Sequence, residues 1–435
     1  MATGTDTPPR LLQVMYSPRC LAMSALGFAS GLPYAIANET SSALLAELKI
    51  DRSTIGLLGA IGVIYSFKFL WSPLIDARAA HGLERLGRRR SWLLVTQLPL
   101  AALIACLGIV APSTATSPLT LFAALLVAIA FLSATLDIVV NAWTIDSFST
   151  PELGIGSSMS VTGYRIALLA GGTAALHLAT SFGWPFAFMA MGVAMAIGVA
   201  ATILSREPNV EVGPSTGGMQ SLLEPLRELF VRLGTGSIIV AAMVLLFRLP
   251  DQLGGVMQKS LLLDTLGYDR VQYGYVRNGI GLAATIVGSL AGGAIVARFG
   301  IFRTLLLAAV LQAASNLGFA WIAVAIQPLG KEVVPWLSQP ILALFAVSGF
   351  ENICGGAVAT AFVAWLMSLC DRRHAATQYA ILSGAMAFAG GIATGTSGYI
   401  ANGLGWPAFF AFTAAAGIPG IAIAAATRYV RTRES

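Results

Sequence analysis

Charge is scarce in this sequence: Asp, Glu, Lys and Arg together make up 11% of its 435 residues, where a soluble domain carries about a quarter. A soluble fold needs ionised side chains over its surface, so the deficit excludes an ordinary soluble enzyme. Cysteine is scarce too. Cys20, Cys106, Cys354 and Cys370 lie far apart in or beside apolar runs, with no CxxC or Cys/His cluster, which excludes a disulfide scaffold and gives no metal or redox site. No HExxH metal motif, no Walker phosphate loop and no nucleophile with a neighbouring base appears, so neither a metal nor a cofactor is expected and an enzyme reading finds no support. The first residues contain Pro8, Pro9 and Arg10 but no small-residue processing site, so the first apolar stretch is expected to stay as a helix of the mature chain. What is abundant is apolar side chain, 56% of the residues, and glycine, 46 in all. A mean hydropathy of +0.78 completes the composition of a polytopic membrane protein, in which small residues let helices approach closely.

A window of about 20 residues finds apolar runs near 20–46, 54–75, 91–111, 118–147, 155–180 and 184–204, then a polar stretch, then runs near 236–263, 271–297, 303–326, 337–369, 375–401 and 405–427. The reading is six plus six: an N-terminal six-helix bundle over 1–204, a linker over 205–235, and a C-terminal bundle with a short tail over 236–435. Basic residues set the orientation. Arg10, Arg19, the run from Arg78 to Arg90, the linker arginines, Arg298, Arg303, Arg372, Arg373 and the C-terminal arginines collect on one side, against Lys49, Arg52, Arg270 and Lys331 on the other. Both termini are therefore expected in the cytoplasm, and the net charge of +6 reflects this bias, not a nucleic-acid surface.

Two six-helix halves joined by a cytoplasmic linker point to the major-facilitator fold, an all-α membrane protein whose halves rock about a site at their interface. A repeat trace agrees. Asp76, Ala77 and Arg78 followed by Gly87-Arg88-Arg89-Arg90 recur as Gly293, Ala297, Arg298, Gly300 and Arg303 after the eighth run. An acid near a helix end pairing with bases makes Asp76, Arg88 and Arg89 candidate gating residues. Lys68, Ser72 and Asp76 are spaced at four, on one helical face.

Ionisable groups inside spans are expensive, so they face a cavity or a partner. Ser133, Asp137, Asn141 and Thr144 form a polar stripe along the fourth span, with Trp143 beside it as a candidate face for a sugar ring. The seventh span carries Arg248, Asp251, Gln252, Gly255 and Lys259 on one face, with Pro250 placed to kink it. The tenth carries Ser348, Glu351, Asn352 and Gly355. Single charges add Lys68, Arg165, Arg277 and Glu39, and Tyr34 offers another aromatic face. Asp137 is the expected counter-ion of Arg165, on the neighbouring helix.

Taken in order, GFASGLP (27–33), the stretch from Lys68 to Asp76, GRRR with Trp92, SATLDIVVNAWTID (133–146), GYR (163–165), GLAATIVGSLAGG (281–293) and MSLCDRRHAATQYAILS (367–383) resemble the AmpG family of muropeptide permeases. The resemblance implies a proton-coupled importer of N-acetylglucosaminyl-1,6-anhydro-N-acetylmuramyl peptides, a multi-pass monomer in the bacterial inner membrane whose partners are its substrate, protons and the lipid bilayer, with no nucleic acid. Such a cargo has carboxylates suited to Arg165, Arg248, Lys259 or Arg277 and sugar rings suited to Trp143 or Tyr34; Asn141, Gln252 and Asn352 add hydrogen-bonding groups. Asp137, Asp251, Glu39 and Glu351 are the candidate proton carriers. Two departures from the family pattern stand out: Asn141 and Thr144 replace an acid and a base in the fourth span, and Asn38 and Glu39 replace small residues in the first. The alternatives are transport of another anionic or glycosylated metabolite, or a non-transporting sensor or assembly factor on the same bundle.

Overall fold

The computed structural model describes residues 16–50, 61–114, 119–210, 220–268, 270–325 and 339–426. Arg10, Arg52, Lys331 and the C-terminal arginines, which entered the charge count, lie outside the described residues. Helices alone make up the regular structure among the described residues. In chain order they are α1 (Pro18–Glu47), α2 (61–77), α3 (Arg88–Val110), α4 (Thr120–Ser147), α5 (153–182), α6 (Trp184–Leu204), a linker helix (Gln220–Leu233), α7 (Gly236–Thr265), α8 (Gln272–Phe299), α9 (Ile301–Ala325), α10 (Gln339–Ser368), α11 (Ala375–Leu404) and α12 (Trp406–Ala426). Ten of these are long and apolar enough to cross a membrane. Segments α2 and α5 occupy the second and fifth expected positions. The linker stretch, polar in sequence, contains a helix whose Pro225 carbonyl and Glu228 carboxylate accept from the Gln378 side chain of α11.

Within the first six helices, α1 packs on α5, α4 and α6, and α3 on α4 and α6. Within the later ones, α8 and α9 pack on α10, α9 on α12, and α7 on α11. The two sets meet where α5 crosses α8 and α10, and where α11 crosses α2 and α4. Apolar membrane helices gain no hydrophobic driving force against each other in lipid, so close backbone approach has to hold them. Gly163 of α5 faces the Ser24 carbonyl of α1 and Gly27 of α1 faces Ser160 of α5, with no room for a Cβ at either. Gly288 and Gly356 do the same for α8 and α10.

Two helix ends cap each other at the terminal side of the first six helices. Gly87 starts α3 in the left-handed region at φ 92°, a conformation suited to glycine. The Glu207 carboxylate, just beyond α6, accepts from the Arg89 and Arg90 amides at 2.6 and 2.9 Å, where a negative charge meets the positive helix end. Arg90 returns the contact by donating to the Thr202 and Ile203 carbonyls at the end of α6.

The expected single helix through Lys68, Ser72 and Asp76 is broken: Lys68–Leu70 tightens to a 3-10 turn and a new helix starts at Ser72. Pro73 explains it, because its ring cannot continue the preceding α-helical ladder.

Candidate functional site

Between the two sets of helices lies a cavity of about 590 Å³. Glu39 of α1 and Arg165 and Thr173 of α5 line one side of it, and Arg248, Asp251, Gln252 and Lys259 of α7, Tyr273 and Arg277 of α8, and Ser348, Glu351 and Asn352 of α10 line the other. Four π-helical turns, Ile36–Thr40, Ala170–Ala174, Leu261–Thr265 and Tyr275–Gly281, supply wall residues: Glu39, Thr173 and Leu262 from the first three, and Val276 and Arg277 from the fourth. Such turns insert a residue and re-aim the side chains around it, and they gather at functional sites.

Charge in the cavity is unevenly paired. α7 breaks at Arg248, and Pro250 in the first turn of the following helix places Arg248 Nη2 2.9 Å from Asp251 Oδ2. Asn352 donates to Glu351 Oε2 at 2.9 Å and to the Ser348 carbonyl at 2.8 Å, with Thr285 Oγ1 3.0 Å from its amide oxygen. Arg277 donates to the Tyr273 hydroxyl at 3.2 Å and lies in the field of Glu39 and Glu351. Arg165 and Lys259 form no ion pair within 4.0 Å with any described residue. The walls therefore present guanidinium and ammonium donors that are open to a carboxylate ligand.

Deeper in the first set of helices, Lys68 Nζ lies 2.5 Å from Asp137 Oδ2. Asn141 Nδ2 donates to Asp137 Oδ1 at 3.1 Å, and Ser30 Oγ reaches the same oxygen at 3.5 Å. Tyr34 and Tyr65 meet edge to face at 5.5 Å beside this cluster, and Tyr65 donates to Ser133 at 2.7 Å. Lys68 also sits 5.9 Å from the ring of Tyr379 on α11, so the pair touches both sets of helices.

At the end nearer the described N-terminus the two sets are joined. Asp76, 5% exposed, accepts from the Ala376 and Thr377 amides at 3.1 and 2.8 Å and from the Thr377 hydroxyl at 2.8 Å. Those amides open α11, so a carboxylate from the first set caps a helix of the second. Arg89 orients it, donating to Asp76 Oδ1 at 3.0 Å and to Asp146 Oδ2 at 2.7 Å, with Arg88 Nη2 3.6 Å from Asp146. Gly154 and Gly293 bring α5 against α8 at the same level, and Arg372 donates to the Phe148 carbonyl across the seam.

These features can be set beside known proteins. The Major Facilitator Superfamily family model matches residues 20–350. The anhydromuropeptide permease of Escherichia coli (strain K12) is 37% identical over 412 residues, 94% of this chain and 80% of that protein. The putative transporter AmpG 4 of Rickettsia conorii is 30% identical over 421 residues, 95% of this chain and 97% of that one. The chain belongs to the AmpG family of the major facilitator superfamily. It is a multi-pass membrane transporter. Among solved structures, the transporter FucP in the outward conformation aligns with a TM-score of 0.66 at 14% identity, over 97% of this chain and 100% of that one. The human organic anion transporter MFSD10 (TETRAN) aligns at 0.65 and 15% identity, over 93% and 99%; both likenesses show the fold.

In this AmpG-family chain the structure brings together on the cavity wall Glu39, Arg165, Arg248, Asp251, Gln252, Lys259, Arg277, Glu351 and Asn352, drawn from separate spans. Asp76, Arg88 and Arg89 meet at the seam. Four expected placements are corrected. Asp137 is paired with Lys68 and not with Arg165: α2 and α4 pack side by side, while Arg165 on α5 turns to the cavity and the field of Arg248, Asp251 and Glu351. Trp143 is not on the cavity wall; it is 2% exposed and lines a separate groove between α1, α4 and α6. Trp143 adjoins Thr144 of the Asp137 stripe in sequence, but at 3.6 residues per turn adjacent residues point about 100° apart. Asn141 and Tyr34 likewise lie off the cavity wall, Asn141 turned onto Asp137. Thr144 donates to the Val140 carbonyl within its own helix. Asp146, Glu207 and Thr377 were missed. Asp146 has a signal in the sequence, an acid ending an apolar span opposite a basic loop, whereas Glu207 and Thr377 have none beyond their polarity.

Proposed function

We propose that this chain imports N-acetylglucosaminyl-1,6-anhydro-N-acetylmuramyl peptides across the bacterial inner membrane, from periplasm to cytoplasm, and that a proton gradient drives it. The observation that carries the reading is the cavity wall. A muropeptide brings lactyl and peptide carboxylates together with hydroxyl-rich sugars, and here Arg165, Arg248, Lys259 and Arg277 face one space with Gln252, Asn352 and Ser348. The relative that is 37% identical is named for anhydromuropeptide transport, which supports the same cargo.

In this reading the cations receive the carboxylates, Arg165, Lys259 and Arg277 first because none of them forms an ion pair with a described acid. Glu351, Asp251, Glu39 and Asp137 are the proton-carrying candidates, each beside a cation or an amide that can compete for it. The basic bias of the connections puts both termini, and hence the Asp76 seam, on the cytoplasmic side. A closed cytoplasmic seam with a cavity above it is the arrangement that takes cargo from the periplasm in alternating access. The chain works as a monomer in the bilayer.

The test is uptake of labelled anhydromuropeptide into proteoliposomes of the purified chain, with and without an inward proton gradient. Accumulation only with the gradient supports cargo and coupling together. Gradient-independent equilibration would keep the cargo and remove the coupling. No uptake by folded, inserted protein, with uptake of another anionic glycoside, would replace the cargo.

A further inference from the structure

The lateral groove that holds Trp143 is a second, larger space of about 920 Å³, with no wall residue in common with the central cavity. Its walls are two matching stripes. α1 contributes Pro18, Leu21, Ala22 and Ala25, and α6 contributes Ile197, Ala200, Ala201 and Leu204. Both follow the spacing 0, 3, 4, 7, one face of a helix in each case. In α6 the alanines lie between Ile197 and Leu204, and in α1 Ala22 and Ala25 follow Leu21, so the stripes form a trough and not a ridge. Leu21 is 52% exposed and Leu204 85%, so the trough is open on the side that lipid covers.

One end of the trough is polar. Arg19, Ser205, Arg206 and Asn209 stand at its mouth. Arg206 makes no ion pair with any described residue, and Arg19 presents its guanidinium 4.7 Å from the Phe148 ring while bridging to Glu152 at 3.0 Å. The acid on the wall, Asp146, is already committed to Arg89 and Arg88.

We propose that this groove binds one anionic glycerophospholipid, an acyl chain lying in the alanine trough and the headgroup phosphate at Arg206 and Arg19. The guanidinium pair matches a phosphodiester, and basic pockets between membrane helices on this kind of face hold anionic headgroups. The bound lipid bridges α1 to α6 beside the Arg89–Asp146 pair, without entering the transport path.

Native mass spectrometry of the purified full-length chain, offered phosphatidylglycerol or phosphatidylcholine with the same acyl chains, tests this. One phosphatidylglycerol retained per chain, at least tenfold over phosphatidylcholine and undisturbed by added glycerol phosphate, is expected. Arg206→Glu should cut that retention at least tenfold, and Ala200→Leu, which fills the trough at an exposed position, should remove it. Arg85→Glu, an exposed charge reversal in another loop, should leave it alone. Equal retention of the two lipids, or retention that survives Ala200→Leu, would overturn the proposal. So would full retention in Arg206→Glu. Absence of any bound lipid on the parent chain would also overturn it.

Discussion

Replacing Asp76 by alanine separates the seam from the rest of the fold. Its carboxylate makes three contacts across the two sets of helices, to the Ala376 amide, the Thr377 amide and the Thr377 hydroxyl. Capping of a helix N-terminus is worth about 1 kcal/mol, the negative charge at the positive helix end roughly another 1 kcal/mol, and the hydroxyl to a charged acceptor about 1.5 kcal/mol less what water returns on opening. The seam-closed state should lose about 3 kcal/mol relative to the seam-open one, a shift of roughly 150-fold at 1.4 kcal/mol per factor of ten. Arg89 keeps Asp146 as a partner, so the first set of helices should still fold. Spin labels at Arg85 and Arg373, exposed positions on the two sides of the seam, report the distance by double electron–electron resonance, with Cys106, the exposed free cysteine, replaced. Asp76→Ala should move the population to longer distances. Glu207→Ala is the matched control, because it removes the same kind of carboxylate cap from α3 within one set of helices; it should lower stability and leave the distance unchanged. An unchanged distribution in Asp76→Ala, or an equal shift in Glu207→Ala, would refute the reasoning.

The Lys68–Asp137 pair should behave as a coupled unit: Lys68→Met or Asp137→Asn alone leaves a charge without its partner and costs about 3 kcal/mol. The double variant should be more stable than the sum of the singles in thermal unfolding, whereas strict additivity would deny the pairing. Gly163→Ala puts a methyl against the Ser24 carbonyl and should cost about 1–3 kcal/mol. Gly391→Ala meets nothing within 4 Å and should stay within about 0.5 kcal/mol, so equal effects in a denaturation series would reject close approach as the reason for Gly163. Arg165→Ala, with no salt bridge to break, should leave the melting temperature near that of the parent and lower substrate affinity; a large loss of stability with unchanged affinity would make Arg165 structural.

What was legible in the sequence followed from lipid as a solvent. A helix in hydrocarbon must be long, apolar and internally hydrogen-bonded, so the runs read from composition coincide with α1, α3, α4 and α6 to α12 within a few residues. The charges worth noticing were legible for the same reason, since an ionised group in a span needs a cause. Tertiary structure decided which charge met which. Asp137 and Arg165 are on neighbouring helices in the chain, yet packing gives Asp137 to Lys68 and turns Arg165 to α7 and α10, because a partner depends on helix rotation and depth that no local pattern records. Trp143 beside Thr144 illustrates the same limit: one residue along a helix is a different face. The seam is the extreme case. Asp76 and Thr377 lie 301 residues apart, and only the packing of α11 against α2 makes an acid in the last turn of α2 the cap of a distant helix. Sequence thus determined the spans, the inventory of buried charge and the family pattern; the tertiary structure determined the pairings, since Coulomb and hydrogen-bond energies depend on separations of a few ångströms that only the packed helices set.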